Sequence, residues 1–208
     1  MNKRRIFGAV ALIAGAVLGI RYVARAQSEP VATHMAVITT TRGDIRLELY
    51  GNDAPKAVKN FVDLANKGFY RGIRFHRVVP QFVIQAGDPK SRDTSLRSQW
   101  GTGGESIYGK PFEDELNPNA PSYKRGYVEG TLAMANRGPN TNTSQFFIVL
   151  NNDVKLQKRY TIFGRVTEGM EVVKMIEKLE LSDTKAGLPI DPAMILDVKI
   201  TEAAPAGK

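Results

Sequence analysis

Residues 130–150 read GTLAMANRGPNTNTSQFFIVL. Two apolar runs, Thr131 to Ala135 and Gln145 to Leu150, flank a stretch of small and polar residues from Asn136 to Ser144. Runs of this length bounded by Gly, Pro and Asn predict strands joined by a long turn. The turn's ends carry groups suited to holding a ligand: amides on Asn136 and Gln145, small Ala135, and the ring of Phe147. A second stretch, FHRVVPQFVIQAGD at 75–88, adds a guanidinium (Arg77), a further amide (Gln85) and a further ring (Phe82). The two strand pairs are expected to build one groove for an extended peptide.

Composition narrows the function classes. The chain has 208 residues, 42% apolar and 24% charged, the balance of one globular domain plus a leader. With no Cys and two His, a disulfide framework, a thiol nucleophile and a His-rich metal site are excluded. Five of the 29 basic residues fall in residues 1–26 with no acid, leaving 24 basic against 21 acidic. The basic excess therefore belongs largely to the leader, and no nucleic-acid partner is expected.

That leader, residues 1–26, opens with Lys3, Arg4 and Arg5, continues with an apolar run over residues 6–20, and ends Ala24-Arg25-Ala26. The layout predicts a secretory signal peptide cleaved after Ala26. An uncleaved N-terminal membrane anchor through residues 6–20 is the alternative; the run is short beside the about 20 residues of a spanning helix. Either leader implies an exported protein, periplasmic or otherwise extracytoplasmic. Residues 27–35 are expected to be a linker, 36–202 the domain and 203–208 a disordered tail.

Within the domain, Ala36 to Thr41 and Asp44 to Tyr50 predict a hairpin around Arg42-Gly43, with Ile45, Leu47 and Leu49 on one face. Pro55 to Asn66 has helical spacing, Val58, Phe61, Val62 and Ala65 sharing a face between Pro55 and Gly68. Strands are predicted at Ile73 to Val78, Phe82 to Ala86, Tyr160 to Val166 and near Leu196 to Ile200, and a second helix at Glu168 to Leu179. The long connection 89–111 suggests a functional loop. Its glycines, Gly101, Gly103 and Gly104, lack the Lys-Ser/Thr pair of a phosphate loop and predict a tight turn. Glu113-Asp114-Glu115 has no accompanying oxygen ligands and predicts a solvated face. Ser144 lacks a Gly-x-Ser-x-Gly setting, which argues against a hydrolase. About eight strands and two helices imply a mainly β fold with an antiparallel sheet. Periodicity alone does not separate a barrel from a sandwich.

Several long motifs in order resemble the cyclophilins: FHRVVPQFVIQAGD (75–88), GTGG (101–104), FEDE (112–115), AMANRGPNTNTSQFFI (133–148) and FGRV (163–166). The resemblance spans about residues 36–202. It implies a closed eight-stranded antiparallel β-barrel capped by two α-helices, and peptidyl-prolyl cis-trans isomerase activity without cofactor or metal. Expected partners are unfolded or proline-containing polypeptides, and the protein is expected to be a monomer. The family's catalytic arginine falls on Arg77, with Gln85 positioned to orient it. The groove falls on Phe82, Val83, Ala135, Asn136, Gln145, Phe147, Leu156 and Tyr160. Val83 stands where methionine is usual, Lys155 where many members carry an aromatic, and Tyr160 where they carry histidine, a change that resembles a bacterial branch. Weak cyclosporin binding is expected from Lys155. A second reading keeps the groove as a binding module with little turnover. His76, facing away from Arg77 by strand alternation, is expected to be structural.

Overall fold

In a computed structural model of the chain, the structure describes residues 29–204. The leader at residues 1–26, the start of the linker and residues 205–208 lie outside the described residues. The first hairpin forms as its alternation demands. Strand β1 (His34–Thr40) pairs antiparallel with β2 (Gly43–Leu49), and Ile38, Ile45, Leu47 and Leu49 are fully buried. β1 begins two residues ahead of the expected Ala36, because His34 and Met35 already pair with Leu49 and Glu48.

Helix α1 (Pro55–Asn66) buries the face its spacing marks, including Val58, Phe61 and Ala65. No residue of its own N-terminal turn caps it. Glu115, from a distant loop, accepts from the backbone N–H of Lys56 and Ala57, each at 2.9 Å, while Glu113 pairs with Lys56. A carboxylate at a helix N-terminus satisfies free N–H groups and meets the positive end of the helix dipole. Glu113 and Glu115 thus clasp α1 while Asp114 binds the loop at Asn140 and Asn142, so the cluster is more than the solvated face expected from sequence. Phe61 then stands in an aromatic nest, its ring centroid 5.0 Å from Tyr70, 5.7 Å from Phe146 and 5.6 Å from Phe163.

The remaining elements are β3 (Arg77–Val79), β4 (Val83–Ala86), a one-turn helix α2 (Pro121–Arg125), β5 (Thr131–Met134), β6 (Phe146–Val149), β7 (Ile162–Glu168), helix α3 (Met170–Glu177), a small hairpin of β8 (Leu181–Asp183) and β9 (Leu188–Pro189), and β10 (Ile195–Glu202). Eight strands form one antiparallel sheet in the order β10-β1-β2-β7-β5-β6-β4-β3. α1 follows the C-terminal end of β2. α3 packs at the opposite end, where Val172 lies against Gly43. Helix α2 and the β8–β9 hairpin were not predicted from sequence.

The closed barrel expected from sequence is corrected in one respect: the strand ladder is an open half-barrel ending at β3 and β10. The segment ahead of β3 stitches the seam with isolated hydrogen bonds. Gly72 N donates to Ile195 O and Ile195 N to Ile73 O, both at 2.8 Å, and Phe75 N donates to Ala193 O at 2.9 Å. The ladder stops there because the next inward donor, Val78 N, turns to Gly187 O at the β8–β9 turn, 2.7 Å away. A backbone N–H committed to a hairpin cannot also extend a sheet.

Candidate active site

Strand parity puts the site on the outside of the half-barrel. Ile84, Ala86, Phe146, Ile148, Leu132 and Met134 are buried inward. Their neighbours Val83, Gln85, Phe147 and Ala133 therefore face outward. Register then lines them up: Arg77 lies opposite Gln85, Gln85 opposite Phe147, and Phe147 opposite Ala133. One row across four strands, β3-β4-β6-β5, thus carries a guanidinium, an amide and a ring side by side.

A polar chain runs from this row. Arg77 Nη1 donates to Gln85 Oε1 at 3.4 Å, a long contact. Gln85 Nε2 donates to Gln145 Oε1 at 2.8 Å, and Gln145 Nε2 donates to the carbonyls of Gly101 (3.1 Å) and Gly103 (2.5 Å). Partial burial pushes the Arg77 pKa below its ordinary value, with Tyr160 opposing that shift. A guanidinium nevertheless stays charged at neutral pH. Among the described residues no carboxylate pairs with Arg77. Its charge is therefore left for a ligand.

On one side of this chain lies an apolar patch. Val83 and Phe147 form its buried floor, and the half-buried Phe82, Ala135, Leu156 and Tyr160 stand around them. The rings of Phe147 and Tyr160 meet edge to face at 5.4 Å. Tyr127 fixes the Tyr160 backbone from both sides: its hydroxyl donates to Tyr160 O at 2.8 Å and accepts from Tyr160 N at 2.9 Å. Tyr127 is a supporting residue that the sequence pattern did not single out. The Asn136 side chain donates to Arg159 O at 2.9 Å, tying two loops together. Its backbone N–H and C=O have no partner among the described residues, so they are available to an added strand.

On the other side lies a cavity of about 750 Å³ that Arg77, Gln85, Gln145, Ala135 and Asn136 share with the 97–104 loop. That loop contributes residues to the cavity and none to the apolar cluster. Of the two 3-10 turns, Pro89–Arg92 is pinned by Arg74 Nη1 donating to Ser91 O (2.6 Å) and Arg92 O (2.7 Å), and Thr94–Gln99 is capped by Asp93, which accepts from Ser95 N at 2.8 Å. The indole of Trp100 donates to Asp93 O at 3.0 Å, and the Arg97 guanidinium stacks on its ring at 5.0 Å. The glycines at 101–104 form the expected tight turn and also a wall of the cavity. A Cβ on Gly103 would collide with Oδ1 of Asp88, whose buried carboxylate accepts from Gly103 N at 3.0 Å. His76 is buried, but on the side of the site: Phe75 and Val78 point into the core, whereas His76 lines the cavity with Arg77 beneath Gly101, which corrects the expectation that alternation turns it away from Arg77; neither ring nitrogen has a hydrogen bond. Burial pushes its pKa down to about 4.

All ten residues expected at the site are thus placed, Arg77, Gln85 and Gln145 along the polar chain, Ala135 and Asn136 between patch and cavity, and Phe82, Val83, Phe147, Leu156 and Tyr160 on the patch. Missed were Arg97, Trp100 and Arg137 on the cavity wall. Trp100 is the only tryptophan, and three basic residues between 90 and 97 were the available signal. Among the described residues no group of His, Asp and Glu could hold a metal ion.

Fold and site together define an antiparallel half-barrel with an apolar patch and a polar cavity side by side on its outer face. The model of the cyclophilin type peptidyl-prolyl cis-trans isomerases matches residues 34–203. Peptidyl-prolyl cis-trans isomerase-like 1 of Homo sapiens is 44% identical over 170 residues, 82% of this chain and 91% of that protein. A cyclophilin type peptidyl-prolyl cis-trans isomerase of Cryptosporidium parvum, solved as a crystal structure, is 37% identical with a TM-score of 0.71. The match covers 83% of this chain and 99% of that one. A second crystal structure of that protein, in the presence of the dipeptide Ala-Pro, has a TM-score of 0.69 at 38% identity, covering 80% and 98%. The chain belongs to the cyclophilin-type peptidyl-prolyl cis-trans isomerases. It accelerates rotation about the bond preceding proline, and its substrates are proline-containing polypeptides. These relatives are eukaryotic, and they lend no support to the bacterial-like branch suggested by Tyr160.

Proposed function

We propose that Arg77 is the catalytic group of this isomerase and that the protein acts on unfolded polypeptides outside the cytoplasm. The bond before proline rotates over a barrier of roughly 18–20 kcal/mol, because the nitrogen lone pair is delocalised into the carbonyl. A donor aimed at the prolyl nitrogen favours a localised lone pair and weakens the double-bond character. The observation that carries the assignment is the outward, carboxylate-free guanidinium of Arg77 in register with Gln85 and Phe147. A preorganised charge beside a partly apolar surface stabilises a transition state more than the same charge in water. The proline ring rests on Phe82, Phe147, Leu156 and Tyr160, over Val83. The free backbone of Asn136 holds the preceding residue as one strand holds another, so that the carbonyl side of the bond can turn.

Support for export comes from the basic start, apolar run and Ala-Arg-Ala of residues 1–26. Among the described residues no helix is long and apolar enough to cross a membrane, so an anchor, if retained, resides in residues 6–20. Cell fractionation with N-terminal sequencing tests this: a mature chain starting at Gln27 in an extracytoplasmic fraction is expected, and a cytosolic full-length chain refutes it. The catalytic assignment is tested by NMR exchange of an Ala-Pro peptide. Arg77→Ala is expected to lower kcat/KM by about 10²–10³, the cost of removing a preorganised donor. Arg77→Lys is expected to recover little of it, because an ammonium lacks the planar fork. Wild-type rates in the Ala variant would remove Arg77 from the mechanism.

A further inference from the structure

The cavity beside Arg77 has an unbalanced charge inventory. Arg77, Arg97 and Arg137 all line it, and no Asp or Glu does. Neither Arg97 nor Arg137 pairs with a carboxylate among the described residues. Arg97 donates to Pro189 O and stacks on Trp100. Arg137 reaches from the β5–β6 loop and donates to Gly101 O at 3.3 Å. A guanidinium has five N–H donors, so most of each remains free. Two nearby carboxylates are already engaged, and the exposed Glu105, next to Gly104, lies outside the cavity lining. Asp88 is fully buried behind Gly103 and accepts from Lys90 N and Gly103 N. Asp114 is held beyond Asn136 by Asn140 N and Asn142 Nδ2.

We propose that this cavity takes an anionic side chain, carboxylate or phosphate, from the part of the substrate N-terminal to proline, and that Arg97 and Arg137 select for it. The inference rests on the isomerase site described above, with proline on the apolar patch. Ala135 and Asn136 separate patch from cavity, so the chain that leaves the proline past Asn136 runs toward Arg137 and Trp100. The volume, about 750 Å³, lies within the roughly 300–1,000 Å³ of ligand pockets. The Gly101 carbonyl that Arg137 now meets is a neutral acceptor at long range. A carboxylate or phosphate is a stronger one, so Arg137 exchanges the first for the second. The stacked Arg97 is held in place by Trp100 and needs little ordering when the anion arrives.

The test measures kcat/KM of the full-length chain on peptides X-Ala-Pro-Phe with X as Glu, phosphoserine, Ala or Lys. Glu is expected to exceed Lys by about ten-fold at low salt, the scale of two partly exposed ion pairs gained against two repulsions. Phosphoserine above Glu identifies phosphate as the preferred source, and the reverse identifies carboxylate. The preference is expected to shrink toward unity near 1 M salt, where the screening length is about 3 Å. Arg137→Glu combined with Arg97→Glu is expected to invert the order of Glu and Lys. Equal rates for Glu and Lys peptides in the wild type, with the Ala peptide turned over, overturn this inference and leave the isomerase site intact. So does an equal gain from Glu placed after proline. Failure to turn over the Ala peptide removes the site reading itself. The wild-type ratio and its salt dependence decide the matter even where the double variant does not fold.

Discussion

Lowering the pH from 7 to 4 should weaken this fold in part through a buried imidazole, His76. Its ring is 4% exposed, neither nitrogen has a hydrogen-bond partner, and burial lowers its pKa from 6.5 to about 4. The unfolded chain takes up a proton below about pH 6.5 that the folded chain refuses until about pH 4. Stability attributable to His76 is therefore complete above the unfolded value and is lost as pH falls between the two. Each unit of pKa difference is about 1.36 kcal/mol, so the full loss is about 3 kcal/mol, a large share of a typical 5–15 kcal/mol. His76→Phe keeps a planar ring and removes the titration. Urea unfolding of both proteins at intervals from pH 7 to 4 gives two stability curves. Any constant offset from repacking drops out, because the slopes are what is compared. The wild type is expected to lose about 3 kcal/mol more than the variant across this window. Parallel curves would refute the reasoning and mean that His76 is solvated or paired in solution. The consequence reaches the site, because the His76 ring is 3.5 Å from where a Cβ on Gly101 would stand, beneath the loop that holds Gln145.

Two other predictions concern the site and its frame. Gln85→Ala removes the acceptor beside Arg77 and the donor to Gln145. It is expected to lower kcat about ten-fold with a smaller change in KM, the scale of one lost hydrogen bond; an equal loss through KM alone would make Gln85 a binding residue only. Gly87 has φ +97°, and a Cβ there would collide with Ser144 O and sit 2.7 Å from Gln145 Cα, so Gly87→Ala is expected to cost about 3 kcal/mol in urea unfolding; wild-type stability would show that β4 and β6 can separate at this point.

Much of the frame was legible because it is local. The alternation of Ile45, Leu47 and Leu49 announced a strand, and the spacing of Val58, Phe61 and Ala65 announced α1 between Pro55 and Gly68. Parity misplaced His76: Phe75 and Val78 both point into the core, so the alternation slips between them and His76 joins Arg77 at the cavity. The family motifs carried the site residues as a set; their spacing alone would not have singled Arg77 out from other half-exposed arginines. The short α2 and the β8–β9 hairpin gave no periodic signal, since elements of five residues or fewer are too short to show one.

What the sequence determined by itself was thus which side chains share a face, because that follows from a repeat of 2 or 3.6 residues along one segment. Only the tertiary structure decided which faces meet. It assigned Glu115 to the start of α1 from 58 residues away and ended the strand ladder when Val78 bonded to Gly187. It also brought Arg97 and Arg137 to one cavity beside Arg77. Those outcomes depend on which of many competing non-local pairings satisfies the most backbone groups at once, and no local pattern records that choice.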